Sequence, residues 1–430
     1  MLEMNKPKSS FQLPPLHNLE IIDAGTNKIL KFKSLPIKPQ NWLLYDGKIK
    51  KNIFYYLELC NKEGSNIFFS NLQSKKDQEK ILFNLNKIFP QSNKLLAFCT
   101  SGSTGRFKII IHSLESLISS AQDLIRHYPT IVGGITYSGF PLNYMAGVLN
   151  NTIVAVLANS LIVLDEDFNF STAYRLKSML NKHSITWSWL SPGVINSFLI
   201  SGQEIDASNK LNLILNATGP LFSDKRILAS SRFNAPVLNT YGLSELLFVS
   251  GESEVQSDVT IGKPLFMKNI YLYEGRIAIQ TNTECKYIFQ IAEDYELSPI
   301  VIDRTPQGQF LTQDLGKTMN NSFILSGRAD DIVIRNGANI SLSLLEQAVE
   351  SYPHVVHACA RINFTTKFEF LEVILEIQDH AEFKESEIRS YLVNLLPQSH
   401  LPSKIILEKL PRLPSGKIDK ISIRNITRRL

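Results

Sequence analysis

Hydroxyls, glycines and cations stand close together in Thr100-Ser101-Gly102-Ser103-Thr104-Gly105-Arg106-Phe107-Lys108. Glycine lets a backbone come close to a ligand. Exposed N–H groups, the hydroxyls of Thr100, Ser101, Ser103 and Thr104, and the ammonium of Lys108 together suit a polyphosphate. Taken bare, the same stretch is equally an ordinary polar hairpin tip. It is not a P-loop, because the Gly-x-x-x-x-Gly-Lys-Ser/Thr spacing is absent. Gly316-Lys317-Thr318 supplies half of that motif, with Leu311 where its first glycine should stand. Further along, Glu245, Asp314, Arg328, Asp330 and Lys417 each sit in a loop of small residues. Read singly they are a residue of a helix's first turn, a turn aspartate, an i, i+2 charged pair and a surface lysine.

The flanking residues show what must position these groups. Leu95 to Phe98 and Ile109 to Ile111 are short apolar runs on either side of the hydroxyl loop, which predicts two strands joined at its tip. Asp77 to Phe89 has helical spacing, and so does the segment after Ser113. Ile185 to Leu190 alternates with period two, and Leu211 to Leu215 forms a further strand. Val237 to Thr240 leads into Tyr241-Gly242-Leu243-Ser244-Glu245. Repeated strand, small-residue loop and helix units predict an α/β architecture with ligand loops at strand ends. Beyond Gly251 the texture becomes hairpin-like, with a turn expected at Glu274-Gly275. A junction falls at Ser326-Gly327, dividing the chain into 1–326 and 327–430. The smaller part reads as α+β, with a helical stripe through Leu342, Leu345, Ala348 and Val349, a capping box at Ser343-x-x-Glu346, and a strand from Phe370 to Ile377. Nothing in residues 1 to 94 can be assigned chemistry.

A chain of 430 residues is long for one core and implies at least two domains. The net charge of +5 admits an anionic ligand without indicating nucleic-acid binding. Cys60, Cys99, Cys285 and Cys359 form no Cys-x-x-Cys pair, so a reducing, cytoplasmic setting is expected. No signal-peptide core is seen, and the longest apolar stretch, Thr152 to Leu164, is broken by Asn159 and Ser160. No membrane span is therefore predicted.

Several of these loops, in this order, resemble the acyl-adenylate-forming, AMP-binding superfamily of acyl-CoA synthetases, peptide-synthetase adenylation domains and luciferases. Thr100 to Lys108 is similar to the family's Thr-Ser-Gly-Ser-Thr-Gly-x-Pro-Lys. Tyr241 to Glu245 resembles Tyr-Gly-x-Thr-Glu, and Thr312-Gln313-Asp314 resembles Thr-Gly-Asp. Gly327 to Asp331 with Asn336-Gly337 looks like the hinge motif, and Pro411-Arg412 with Ser415-Gly416-Lys417 the terminal lysine motif. Five matches in one order, from about residue 95 to 420, are far more specific than any one alone.

The resemblance implies a large N-terminal domain of α/β subdomains and a small mobile C-terminal lid turning near Asp330. It implies ATP-dependent activation of a carboxylic acid to an acyl-adenylate, then transfer to a thiol, with coenzyme A favoured. It places Thr100 to Gly105 and Lys108 on the phosphates, Tyr241 stacked on the adenine (its rival reading being a core aromatic), and Gly219, Asn239 and Gly242 around the adenosine. Asp314 falls on the ribose, Arg328 on ribose or phosphate, and Glu245 on Mg²⁺, with Ser244 keeping the usual hydroxyl. Lys417 bridges the α-phosphate and the attacking carboxylate. Phe140, Tyr144 and Gly147 fall at the acyl pocket.

The departures are Phe107 for a proline, Gln313 for a glycine and Tyr144 for a histidine. The phosphate loop also begins early, as in the compact o-succinylbenzoate–CoA ligases. No acidic residue lies between Tyr137 and Gly147 to hold an ammonium, which favours an acid without an α-amino group. Loading of an acyl carrier protein through its phosphopantetheine, and a catalytically degenerate nucleotide-binding protein, are the rival readings.

Overall fold

The structure is a computed structural model that describes residues 12–16, 19–24, 26, 28–30, 40–72, 74–101, 107–165, 175–206, 208–217, 219, 221, 223–255, 260–319, 322–335, 338–364, 369–377, 382–412 and 418–425. Its largest sheet has eight strands. Ile21–Asp23, Leu161–Leu164, Ile135–Ser138, Trp187–Leu190, Leu213–Asn216 and Val237–Leu243 lie side by side and parallel. Leu247–Gly251 and Lys263–Pro264 close one edge antiparallel. A six-stranded sheet faces it. There Trp42–Tyr45, Asn66–Phe69 and Leu95–Ser101 are parallel, and Phe107–Ser113, Tyr287–Ile291 and Leu297–Pro299 continue antiparallel. Part of the N-terminal 94 residues thus forms this second sheet, a placement the sequence did not reveal.

The period-two alternation of side chains explains the layering. Phe69, Leu96, Phe98, Ile162, Leu164, Trp187, Trp189, Leu213 and Leu215 all enter one core between the two sheets. Their neighbours turn away: Val163, Leu190, Ile214 and Val237 pack under helices on the far face of the larger sheet. Phe68, Ala97 and Cys99 do the same under helix Lys75–Ile88 on the far face of the smaller one. The central layer is filled by helix Leu114–His127, whose N-terminus is capped by the Ser113 hydroxyl, and by the helical stretch from Gly147 to Leu157. That stretch begins as a π-helix, Gly147–Ile153, rather than as an α-helix.

A four-stranded antiparallel sheet follows, ordered Asn269–Tyr273, Arg276–Gln280, Phe310–Met319, Ser322–Arg328. Its first hairpin turns at Glu274-Gly275, both with positive φ, as expected. The last described residues have their own core, built by Ile340, Leu345, Val349, Ala358, Ala360, Leu371, Val373, Leu375 and Leu392. Helix Leu342–Glu350 covers the sheet of Val355–Phe364, Glu369–Ile377 and Lys404–Leu407. Its cap is the Ser341 hydroxyl, which accepts from the Leu344 N–H, so the capping box expected at Ser343 lies two residues too late. Among the described residues, no helix is long and apolar enough to cross a membrane. All four cysteines are buried and unbridged, and burial pushes the Cys60, Cys99 and Cys359 thiols up to about 12.

Candidate active site

Leu95–Ser101 and Phe107–Ser113 pair antiparallel, with Thr100 opposite Lys108, so the hydroxyl loop is a hairpin tip. Gly102, Ser103, Thr104 and Gly105 lie outside the described residues. Phe107 is 40% exposed. Its carbonyl accepts a hydrogen bond from the Gln290 amide at 2.8 Å.

The Tyr241 to Glu245 segment is not the start of a helix. Val237–Leu243 turns directly into antiparallel Leu247–Gly251, with a register shift between Tyr241 and Gly242. A Cβ on Gly242 would lie 2.4 Å from the Leu247 carbonyl oxygen, so the turn requires glycine here. Three contacts hold the turn from the smaller sheet side. His112 Nε2 donates to the Ser244 carbonyl at 2.7 Å. The Cys285 N–H donates to the Glu245 carbonyl at 2.7 Å, and the Thr283 hydroxyl to the Leu246 carbonyl at 2.9 Å. His112 is fully buried, and desolvation lowers its pKa to about 4, opposed by the bond to Ser244; it is neutral at physiological pH.

Asp314 is the centre of the charged groups. It stands directly opposite Arg328 in the hairpin of Phe310–Met319 and Ser322–Arg328. Arg328 Nη1 donates to Asp314 Oδ1 at 3.1 Å, and the Tyr241 hydroxyl donates to Oδ2 at 2.7 Å. Thr312 fixes the local backbone, its hydroxyl accepting from the Asp314 N–H at 3.1 Å. Burial raises the Asp314 carboxyl above its usual range, while Tyr241 and Arg328 pull it back. Arg328 also grips Asp330 through Nε and Nη2, at 2.8 and 2.9 Å. Glu245 joins the same group of charges. Desolvation raises its pKa, Lys108 and Arg328 oppose the rise, and Asp314 adds to it. Hydrogen bonds thus join Tyr241, Asp314 and Arg328, from three strands, and the charges of Lys108, Arg328 and Asp314 are near enough to act on Glu245.

Tyr241 is only 8% exposed, and its ring packs with Leu246, Val249, Ile261 and Ile277. Little of its face is left for a base, and its hydroxyl orients Asp314. Asn239 is buried, and its amide holds the neighbouring loop at Leu221. Gly219 offers its carbonyl to the Asn216 amide at 2.7 Å.

Phe140 and Met145 pack on the central core, and Trp189 stacks on Phe248 with ring centroids 5.4 Å apart. Tyr144 is half-buried beside them in sequence. A Cβ on Gly147 would meet the Pro141 carbonyl oxygen at 2.1 Å, so this glycine seats the π-helix against the preceding loop. Lys417 lies outside the described residues. The ends of its loop are joined by a bridge between Arg412 and Ile418 and by the Asp419 N–H on the Pro411 carbonyl at 2.8 Å.

The sequence leaves His112 as a structural residue with no visible partner, and does not single out Thr283 or Asn216 as supports. A histidine among isoleucines in a strand buried on both faces was the available signal, because a buried imidazole needs a partner. Among the described residues, no group of three His, Cys, Asp or Glu gathers as a metal cage. Glu245 fits the other kind of Mg²⁺ site, in which one carboxylate and the substrate's phosphate oxygens share the ion.

The model of the family "AMP-binding enzyme" matches residues 57–276, just over half of the chain. Gramicidin S synthase 2 of Aneurinibacillus migulanus is 24% identical over 75% of this chain, which spans only 8% of that relative's length. Sulfoacetate–CoA ligase of Cupriavidus necator is 21% identical over 78% of this chain and 67% of its own. The o-succinylbenzoate CoA synthetase of Bacillus subtilis, solved with an acyl-adenylate, superposes with a TM-score of 0.66 at 19% identity, covering 89% of this chain and 82% of that one. A family match on this scale, on a chain that also shares the synthetase fold, places the protein in the AMP-binding enzyme family.

Proposed function

We propose that this chain uses ATP to activate a carboxylic acid and then passes the acyl group to a thiol, coenzyme A being favoured. A carboxylate oxygen attacks the α-phosphorus, the bond from that phosphorus to the bridging oxygen breaks, and pyrophosphate leaves with the bond electrons. A thiolate then attacks the acyl carbonyl and AMP leaves. Both reactants of the first step are anions, so catalysis needs fixed cations and close positioning.

The meeting of Tyr241, Asp314 and Arg328 with Glu245 and Lys108 carries this reading. Asp314 has acceptor capacity left for ribose hydroxyls after bonding Tyr241 and Arg328. Lys108 and the hydroxyls of Thr100 to Thr104 serve the phosphates. Mg²⁺ bound at Glu245 would offset polyphosphate charge. Lys417, with Ser244 and Glu245, serves the first step, and a small lid hinged at Asp330 carries it. Residues 1–326 form the nucleotide-binding part and 327–430 the lid.

Phe140, Tyr144 and Gly147 border the acyl site. With no acidic residue in the sequence from Tyr137 to Gly147, an aryl or fatty acid without an α-amino group fits best. The ligase relatives, sulfoacetate–CoA ligase among them, support coenzyme A as acceptor; the peptide-synthetase relative supports the alternative of a carrier protein.

Pyrophosphate exchange into ATP across a panel of acids tests the first step. Some acid should support exchange in the unaltered chain and not in Lys417→Ala. No exchange with any acid, alongside intact ATP binding, would leave only a nucleotide-binding protein. Thioester formation with coenzyme A against holo-carrier protein separates the acceptors.

A further inference from the structure

Helix Ser223–Phe233 follows the 216–222 loop and carries Arg226, a side chain with no exposed surface. Its Nη1 donates to both oxygens of Glu252, at 2.7 and 2.8 Å, and the two side chains are wholly removed from water. Such burial costs several kcal/mol per ion, and apolar pairs of the same volume are often as stable or more so. Stability alone therefore does not account for these charges. What an apolar pair lacks is acceptors. Glu252 Oε2 also takes the Asn239 N–H at 2.9 Å, and Oε1 takes the Thr260 hydroxyl at 2.9 Å. The Glu252 N–H returns a bond to the Asn239 carbonyl at 3.1 Å.

Both sides of the Asn239 backbone are thus fixed by one residue. From there the constraint spreads to two loops. Asn239 Oδ1 accepts from the Leu221 N–H at 3.2 Å and from the Asn216 amide at 2.9 Å, and that same amide reaches the Gly219 carbonyl. The Thr240 hydroxyl donates to the Asn216 carbonyl at 2.9 Å, one residue before Tyr241. Thr260 in turn bridges to Ile324, on the strand that ends at Arg328.

We infer that the Arg226–Glu252 pair is a positioning device for the nucleotide: it sets the Asn239 backbone and so orients the Gly219 loop and the Tyr241 turn around the adenosine. This rests on the reading that those loops hold ATP. The double exchange Arg226→Met/Glu252→Leu removes both charges and keeps the site apolar. It also leaves the Asn239 N–H and the Thr260 hydroxyl without an acceptor, so it should still melt cooperatively but a few degrees lower, while its ATP Kd by calorimetry rises about tenfold or more. Exchange at saturating ATP should fall much less, since the phosphate and lysine loops are not touched. An ATP Kd within about twofold of the unaltered chain, in folded variant, overturns the inference. Should the double variant not fold, Glu252→Gln, which keeps the side-chain volume, is read by the same two outcomes. Absence of ATP binding in the unaltered chain overturns both readings; equal binding by chain and variant overturns this one alone.

Discussion

Glu245 and Asp314 illustrate at residue scale how buried carboxylates, proposed to serve the nucleotide, oppose the fold that holds them. Burial raises the pKa of both above the ordinary carboxylate range. A carboxyl whose folded pKa is raised contributes stability below its unfolded pKa and loses it as pH rises through the folded value. At neutral pH an ionised Glu245 therefore weighs against folding. Glu245→Gln is expected to raise the melting temperature of the unliganded chain at pH 7 by roughly 2 °C. The gain should shrink towards zero near pH 4, and acid-dependent exchange should be lost. A melting temperature lower at pH 7 than at pH 4, relative to the unaltered chain, would contradict the desolvation argument. Asp314→Asn should weaken ATP binding about tenfold or more, because Arg328 and Tyr241 lose the charge they share; titration calorimetry checks this. Both carboxylates could be singled out as candidates in the sequence from their loops. The pairing of Asp314 with Arg328 could not: the two are 14 residues apart, and only the hairpin register sets them opposite each other.

At the scale of elements, the alternation of Ile185 to Leu190 was readable because each face of a sheet meets a different core, as Trp189 and Leu190 show by entering different clusters. The turn at Tyr241 to Glu245 was not. The Leu246-Leu247-Phe248-Val249 run that follows is apolar throughout, and periodicity cannot separate a buried strand from a buried helix in so short a run. What fixes the turn lies far away in sequence, in His112, whose bond to Ser244 spans 132 residues. That support has a pH signature. His112 is held neutral, with its pKa lowered to about 4, whereas the unfolded chain takes up a proton near the ordinary histidine value. Over the interval between these values the unfolded state binds more protons, so stability should fall as pH falls. His112→Gln keeps an N–H donor for the Ser244 carbonyl and removes the titration. Its melting temperature should depend less steeply on pH in that window, with exchange activity near that of the unaltered chain. His112→Phe has no donor and should lose activity about tenfold, through an unsatisfied buried carbonyl at the turn. Equal activity of the two variants would show that the bond does not position Ser244 and Glu245.

Across the whole molecule, adenylation on the proposed reading requires the small C-terminal part to deliver Lys417 to charges held by the large one. Arg424 is placed to make that delivery rigid. Its Nη1 donates to Asp331, next to the proposed hinge, at 2.7 Å; its Nη2 donates to Glu346 at 2.9 Å, and its Nε to the Ala360 carbonyl at 3.1 Å. Lys420, three residues after Lys417, pairs with the other oxygen of the buried Glu346. On the other side of the loop, Glu376 accepts from the Leu410 N–H and from Arg412, each at 2.6 Å. Asp331, beside the proposed hinge, and the residues flanking the lysine loop are thereby fastened to one core, so that on the proposed reading a turn at Asp330 would move those flanks together. Arg424→Gln removes the charge that joins Asp331 to Glu346 and leaves two carboxylates facing each other's field. Pyrophosphate exchange should fall about tenfold, while ATP Kd stays within about twofold, since Tyr241, Glu245 and Asp314 are not touched. A parallel rise in ATP Kd would mean that Arg424 supports the nucleotide site directly. Unchanged exchange would mean that Lys417 is positioned without the clasp.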